Sequence, residues 1–277
     1  MNQKTLGLIG FGNMGAAIAQ QISSKYQLYI YDKDKNKTNG LSGIRVSESI
    51  TGLIKQVEIG LLAVKPQDFD FVLNEIKNGL KNQLIISIAA GISTGYIQKA
   101  LGEVRVVRAM PNIGVKIGES VTCLCAGRFA AIDDLACAQE LFGYLGKVKE
   151  IKEDLMNAST AISGSGPGYI FDYFESEAIA GNAITGEVKE NIIQRLASAA
   201  KAVGFNEEEA QFLAVNTSDT SIDLIKKTGL SPSELRKQVT SKGGTTEAAI
   251  EVIRRGGSWI EAAKAAVARA KELSKEG

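Results

Sequence analysis

No histidine occurs anywhere in the 277 residues. That excludes every mechanism built on an imidazole base, a His–Asp relay or a His-ligated metal. Proton chemistry is left to Lys, Tyr, Ser/Thr, carboxylates, water or the substrate's own basicity. Cysteine is scarce too: Cys123, Cys125 and Cys137 make an odd number with no metal-like pairing. Cys123 and Cys125 have the spacing of same-face neighbours on a strand. Buried thiols in a reducing compartment are expected, and no metal. Long apolar runs are missing; none approaches the roughly 18 residues of a membrane span. The start, MNQKTLGLIGFG, lacks the basic stretch, apolar core and cleavage site of a secretory signal, so a cytoplasmic location is expected. Neither charge dominates, with 32 Lys+Arg against 31 Asp+Glu. Nothing electrostatic therefore points to nucleic acid or an anionic membrane. Aromatics are only 6% of a chain that is 44% hydrophobic, a balance that fits a globular α/β protein rich in Gly and Ala.

What is present has a clear order. Short apolar strands at 5–10, 28–31, 58–64, 83–89, 104–110 and 121–126 alternate with amphipathic segments at 13–24, 47–56, 66–80 and 133–146. Gly146 falls near the C-terminal end of the last. This alternation predicts a doubly wound, mostly parallel sheet of Rossmann type. From about residue 153 only helices are expected. Asn206 with Glu209, Ser258 with Glu261, and Ser231-Pro232-Ser233-Glu234 read as helix starts, and Gly256-Gly257 as a break. The division expected is a dinucleotide-binding domain over 1–152 and an all-α domain over 153–277.

GFGNMG places Gly10, Gly12 and Gly15 in a GxGxxG pattern between a strand and a helix. The first glycine makes the tight turn, the second admits a pyrophosphate, and the third lets helix and strand pack closely. Asp32 ends the second strand, where a carboxylate accepts from a ribose 2′-OH. This inclines the reading to NADH. Lys33, Lys35 and Lys37 follow and would attract a 2′-phosphate, so NADPH stays open. Lys65 and Pro66 of AVKP sit at another strand end, where a cofactor contact and a plain strand-to-helix turn are both open. Asn112 of RAMPN is balanced between a ligand contact and a turn. SGSGPGY (163–169) puts three glycines and a proline into a helical region, and by itself reads as an interhelical turn. TSKGGTT (240–246) ahead of an Ala-rich helix has the makings of an anion cradle.

Together and in this order, GFGNMG, AVKP, RAMPN, SGSGPGY and TSKGGTT resemble the pyrroline-5-carboxylate reductase family over nearly the whole chain. The resemblance implies an NAD(P)H-dependent enzyme that reduces the cyclic imine of 1-pyrroline-5-carboxylate to L-proline, the last step of proline biosynthesis. It implies a helical domain that dimerises, giving a homodimer or a decamer built from dimers. Carried over by position, Gly10, Phe11, Gly12, Asn13, Met14 and Gly15 hold the pyrophosphate, and Ala63, Val64, Lys65 and Pro66 lie beside the cofactor. Asp32 and Lys33 reach its adenosine end. Ser241, Gly243, Gly244, Thr245 and Thr246 form the substrate loop, with Asn112 near the crevice. Thr246 bonds the ring nitrogen, and the loop's N–H groups hold the substrate carboxylate. An imine is basic enough to need no strong general acid, which agrees with the missing histidines.

The chain departs from the family pattern at Lys242, where proline is usual, and at Gly168, where alanine is usual. Residues 175–198 also add about twenty positions before Gly204, and their pattern suggests an added helix. Two other readings remain. A β-hydroxyacid-type dehydrogenase needs a helix lysine that SGSGPGYIFDYFE lacks. An NAD(P)-sensing regulator without turnover has no need of a second anion site.

Overall fold

The computed structural model describes residues 3–41, 43–179 and 183–274. Its sheet has strand order β3-β2-β1-β4-β5-β6-β7-β8. These are β1 (Thr5–Ile9), β2 (Gln27–Tyr31), β3 (Arg45–Val46), β4 (Ile59–Leu62), β5 (Leu84–Ser87), β6 (Val106–Met110), β7 (Ser120–Ala126) and β8 (Gly146–Glu150). Pairing from β3 through to β6 is parallel, with Leu6 opposite both Leu28 and Ile59. The strand order reverses between β1 and β4, and ligand crevices form at such switch points.

The chain clusters into two compact units, one of residues 1–109, 124–145 and 274–277, the other of 110–123 and 146–273. In the first, α1 (Asn13–Ile22), α2 (Ile50–Ile54), α3 (Phe69–Lys77), α4 (Thr94–Leu101) and α5 (Ile132–Gly143) accompany the strands. Strands β4 and β5 are buried at every position. That is how strands read when helices cover both faces, and it explains their unbroken apolar sequence. Helix α3 turns Phe69, Val72, Leu73 and Ile76 inward at i, i+3, i+4 and i+7 spacing. The expected strands and helices are all found. The short α4, the two-residue β3 and the last strand, β8, were not foreseen.

The 133–146 segment is corrected at its end. Helix α5 stops at Gly143, and Gly146 opens β8. Its φ is +144°, and a side chain there would collide with the Ser120 backbone. The glycine serves a close strand approach, not a helix stop.

The second unit holds α6 (Met156–Ser159), α7 (Gly166–Ser176), α8 (Gly186–Ala202), α9 (Glu207–Thr228), α10 (Pro232–Val239), α11 (Thr245–Arg254) and α12 (Trp259–Glu272). Capping boxes form at all three anticipated helix starts, Asn206/Glu209, Ser231/Glu234 and Ser258/Glu261. The 163–169 stretch is not an interhelical turn. Residues Thr160–Gly164 form a π-helical turn that leads from α6 almost directly into α7, with Pro167 in its first turn, where no N–H is needed. Of the extra segment, 180–182 lie outside the described residues, and the rest supplies the end of α7 and most of α8. Helix α8 starts on a Thr185 cap to the Val188 N–H, buries Ile192, Ile193 and Leu196, and packs on α9 and α12.

Candidate functional site

The glycine turn of the first unit is dictated by backbone contacts. Gly10 has φ +99°, and a Cβ there would lie 2.7 Å from the Ala63 carbonyl oxygen. A Cβ on Gly15 would collide with the Gly10 carbonyl. Gly12 differs: a Cβ there would meet nothing within 4 Å. The protein itself does not require glycine at position 12, so the open space is suited to a ligand. Gly12 also N-caps α1 without any side-chain cap, and the first turn carries no acidic residue. Its N–H groups and positive dipole end are thus available to a phosphate. These features fit a dinucleotide.

Beside the turn lies a cavity of about 250 Å³. Gly10, Gly12, Asp32, Lys33, Ala63, Val64 and Lys65 all line it. Phe11, Asn13, Met14 and Pro66 belong to the same two turns but are not part of the lining. Pro66 starts a short 3-10 turn over Pro66–Asp68, with Lys65 at its N-cap. Asp32 is buried, and its carboxylate accepts from the Phe11 N–H at 2.6 Å and the Asp34 N–H at 2.8 Å. Among the lining residues that were missed are Tyr31, Gln67, Asp68 and Phe71, the last 60% exposed. Its signal was available, because Phe71 falls off the apolar stripe of α3.

The second unit holds the hydroxyl loop. Gly243 has φ +69°, which only glycine adopts freely. Gly244 then N-caps α11 without a side-chain cap. The Gly244 N–H bonds the Ser241 carbonyl at 2.9 Å, and the Gly243 N–H bonds the Glu247 carboxylate at 2.6 Å. Two of the expected cradle donors are therefore engaged within the chain. Thr245 and Thr246, at the uncapped start of α11, keep their N–H groups outside the helical ladder. Arg269 of α12 reaches across to donate to the Gly243 carbonyl at 2.7 Å.

The Thr246 side chain is buried, and its hydroxyl donates to the Ser165 hydroxyl at 3.0 Å. Ser165, also buried, pairs in turn with the Thr245 hydroxyl at 3.0 Å. Thr246 rests on Gly168, where a Cβ would collide with its Cγ2 methyl. So the SGSGPGY stretch is tied to the loop residue by residue: Ser165 orders the hydroxyls, and Gly168 gives the methyl room. Helices α10 and α11, which flank the loop, are pinned to α7 by one buried carboxylate. Asp172 accepts from Arg254 at 2.8 and 3.0 Å, and Arg236 lies 3.5 Å away. Arg236 also bonds Glu175 at 2.7 Å and holds its carboxyl below the usual range. Helix α7 carries no lysine.

Asn112 is buried, and its amide is used inside the unit. The side-chain oxygen accepts from the Gly114 N–H at 3.0 Å and the Val121 N–H at 3.1 Å, and the amide nitrogen donates to the Ser163 carbonyl at 3.2 Å. It clamps the turn after β6 to the π-helical segment. Lys242 is exposed and Ser241 is at the loop's outer side.

A parallel sheet with a glycine-cradled cleft, joined to a helical unit bearing a hydroxyl loop, defines an NAD(P)-type oxidoreductase architecture. Residues 190–273 match the family model described as pyrroline-5-carboxylate reductase dimerisation, and residues 5–91 the one described as NADP oxidoreductase, coenzyme F420-dependent. A pyrroline-5-carboxylate reductase of Synechocystis sp. is 34% identical, over 98% of this chain and 98% of its own. The structure of a pyrroline-5-carboxylate reductase from Coxiella burnetii superposes with a TM-score of 0.65 at 31% identity, covering 99% of this chain and all, 100%, of that one. A Plasmodium falciparum pyrroline carboxylate reductase, solved with NADP bound, gives a TM-score of 0.66 at 27% identity, with 99% and 100% covered. The chain belongs to the pyrroline-5-carboxylate reductase family.

Proposed function

We propose that the chain reduces 1-pyrroline-5-carboxylate to L-proline, as the last step of proline biosynthesis. The observation that carries this reading is the buried Thr246 hydroxyl, ordered by Ser165 at the uncapped start of α11. The glycine turn of the first unit fits NADH or NADPH, and the Plasmodium relative was solved with NADP. When bound, the reduced cofactor supplies a hydride to the imine carbon. Gly10 to Gly15 would hold its pyrophosphate and Ala63 to Pro66 flank it.

The loop's residues do the rest. The Thr245 and Thr246 N–H groups and the α11 dipole hold the substrate carboxylate. The Thr246 hydroxyl meets the ring nitrogen. Because it donates to Ser165, its oxygen offers lone pairs. It therefore accepts from the N–H of an imine that arrives protonated. This favours the charged iminium, the form more reactive toward hydride. Nothing here needs histidine: holding the reactants in register supplies most of the rate. Asn112 acts from behind, by setting the turn near the π-helical segment.

The same reading assigns nucleotide binding to residues 1–152 and substrate binding with dimerisation to 153–277. It takes the assembly as a homodimer, or a decamer built from such dimers, in the cytoplasm; light scattering separates the two sizes. The enzymatic test is oxidation of reduced cofactor by pyrroline-5-carboxylate, with proline quantified as product. Saturable turnover yielding one proline per cofactor oxidised supports the reading. Cofactor binding without turnover would overturn it in favour of a sensing role.

A further inference from the structure

Ser165 is 1% exposed, so its single hydroxyl proton is out of reach of bulk water. A buried hydroxyl keeps its proton in a hydrogen bond. Thr246 already donates to Ser165 at 3.0 Å. Among the described residues the Ser165 hydroxyl has one other partner, the Thr245 hydroxyl at 3.0 Å, in a bond whose geometry lets either oxygen donate. Ser165 is therefore the donor of that pair. Thr246 is buried, whereas Thr245 is partly exposed. The hydroxyls form a line with one sense, Thr246 to Ser165 to Thr245, from a buried residue to a partly exposed one. Among the described residues no lysine, carboxylate or tyrosine bonds any of these hydroxyls.

The reaction proposed for this loop leaves one proton to be moved. Hydride on the carbon of an iminium gives a neutral amine, whereas proline in neutral water is an ammonium. A proton must therefore enter after reduction, or leave before oxidation, at a nitrogen held against the buried Thr246. We propose that the line of hydroxyls is the path of that proton, with the Thr245 hydroxyl as its outer end. In the oxidation direction an ammonium N–H bond breaks and its proton joins the Thr246 oxygen. The Thr246 proton passes to Ser165, the Ser165 proton to Thr245, and the Thr245 proton to water. Each oxygen gains one proton and loses one, so no hydroxyl is left charged. The nitrogen keeps the electron pair that forms the C=N bond as hydride departs. The line is then polarised the other way, the sense that reduction needs to return a proton from water to the amine. Such a relay moves a proton without storing it, and so does the work of an imidazole in a chain that has none.

This rests on the proposed reaction. The test is single-turnover stopped-flow kinetics of the full-length protein with proline and oxidised dinucleotide, because in that direction the proton must leave before the hydride. Thr245→Val keeps the shape of the side chain and the backbone N–H proposed to hold the carboxylate, and removes the outer hydroxyl. The maximal rate should fall at least about tenfold, with half-saturation by proline unchanged within about twofold. Thr245→Ser, which restores a hydroxyl, should recover most of the rate. In H2O–D2O mixtures the unaltered protein should slow, most steeply at low deuterium content, as when several protons move together. That measurement needs no variant, so it stands whatever Thr245→Val does to the loop. A Thr245→Val protein as fast as the unaltered one would overturn the relay. So would a loss confined to proline half-saturation, or an unaltered rate that is the same in D2O. No proline oxidation by the unaltered protein would remove the reaction and the relay with it, an outcome distinct from an active protein indifferent to Thr245.

Discussion

Thr246 and Ser165, 81 residues apart in sequence, meet through their hydroxyls at 3.0 Å. The contact joins the loop that starts α11 to the residue that precedes α7. It also fixes which way the Thr246 proton points, and so which role its oxygen can play.

Removing either hydroxyl should therefore damage chemistry more than cofactor binding. Thr246→Ala loses a hydrogen bond to a charged nitrogen, about 1.5–3 kcal/mol, or roughly ten- to a hundredfold in kcat/KM. Ser165→Ala should fall less in rate and shift the pH profile, because an unrestrained Thr246 is free to donate as well as accept. Steady-state kinetics over pH, with the dinucleotide Kd measured alongside, checks both. Weakened cofactor binding with intact chemistry would contradict the assignment.

Gly168 is needed because Thr246 sits against it. Gly168→Ala places a methyl group in collision with the Thr246 Cγ2. Overpacking of this kind costs about 1–3 kcal/mol, and here it would displace the reactive hydroxyl too. Turnover and the denaturation midpoint should both fall. The double variant Gly168→Ala with Thr246→Ser, which removes the opposing methyl, should recover much of both.

Glu247 occupies one N–H group of the proposed substrate loop. Its carboxylate holds the Gly243 N–H at 2.6 Å. Glu247→Gln removes a negative charge from a loop that is to receive another. The KM for the substrate, whose carboxylate the loop is proposed to hold, should fall several-fold, at a cost of a few tenths of a kcal/mol in helix stability. A raised KM would mean that the carboxylate builds the loop more than it blocks it.

Burial pushes the Cys123 thiol up to about 12, despite bonds from Ser159 and Ser163. The folded chain thus keeps this proton where an unfolded one releases it, near pH 8.5. Above that pH the unfolded state binds fewer protons, so stability contributed by this thiol falls as pH rises, by at most about 1.4 kcal/mol per unit up to the folded value. At pH 8 Cys123 should stay unlabelled by thiol reagents in the native protein and react on denaturation. Prompt native labelling would contradict its burial.

Much of this was legible in the sequence because it is local. The buried strands, the stripe of α3, the capping boxes and the GxGxxG turn each span a few residues with a fixed period or spacing. What stayed hidden is what depends on meetings across the chain. Nothing local in GESV or YLGKV announces that Gly146 must clear Ser120. SGSGPGY read as a break because glycine and proline disfavour helix, yet a π-helical turn absorbs the first glycine, Gly164, and Pro167 falls where a helix tolerates it. Lys33 and Asp68 are 35 residues apart, so the lysines looked free for a phosphate. The loop motif was plain, but not that Glu247 would fold back on it or that Arg269 would hold its carbonyl.

The central claim is that this chain moves a hydride onto the ring carbon of an imine. Its most direct test uses reduced dinucleotide deuterated at the transferable position of nicotinamide C4, both faces in turn, with pyrroline-5-carboxylate. The account predicts proline carrying one deuterium at ring carbon 5 from one of the two labelled faces, seen by mass spectrometry and NMR. Proline without label from either face, or no proline while the cofactor is bound, would contradict it.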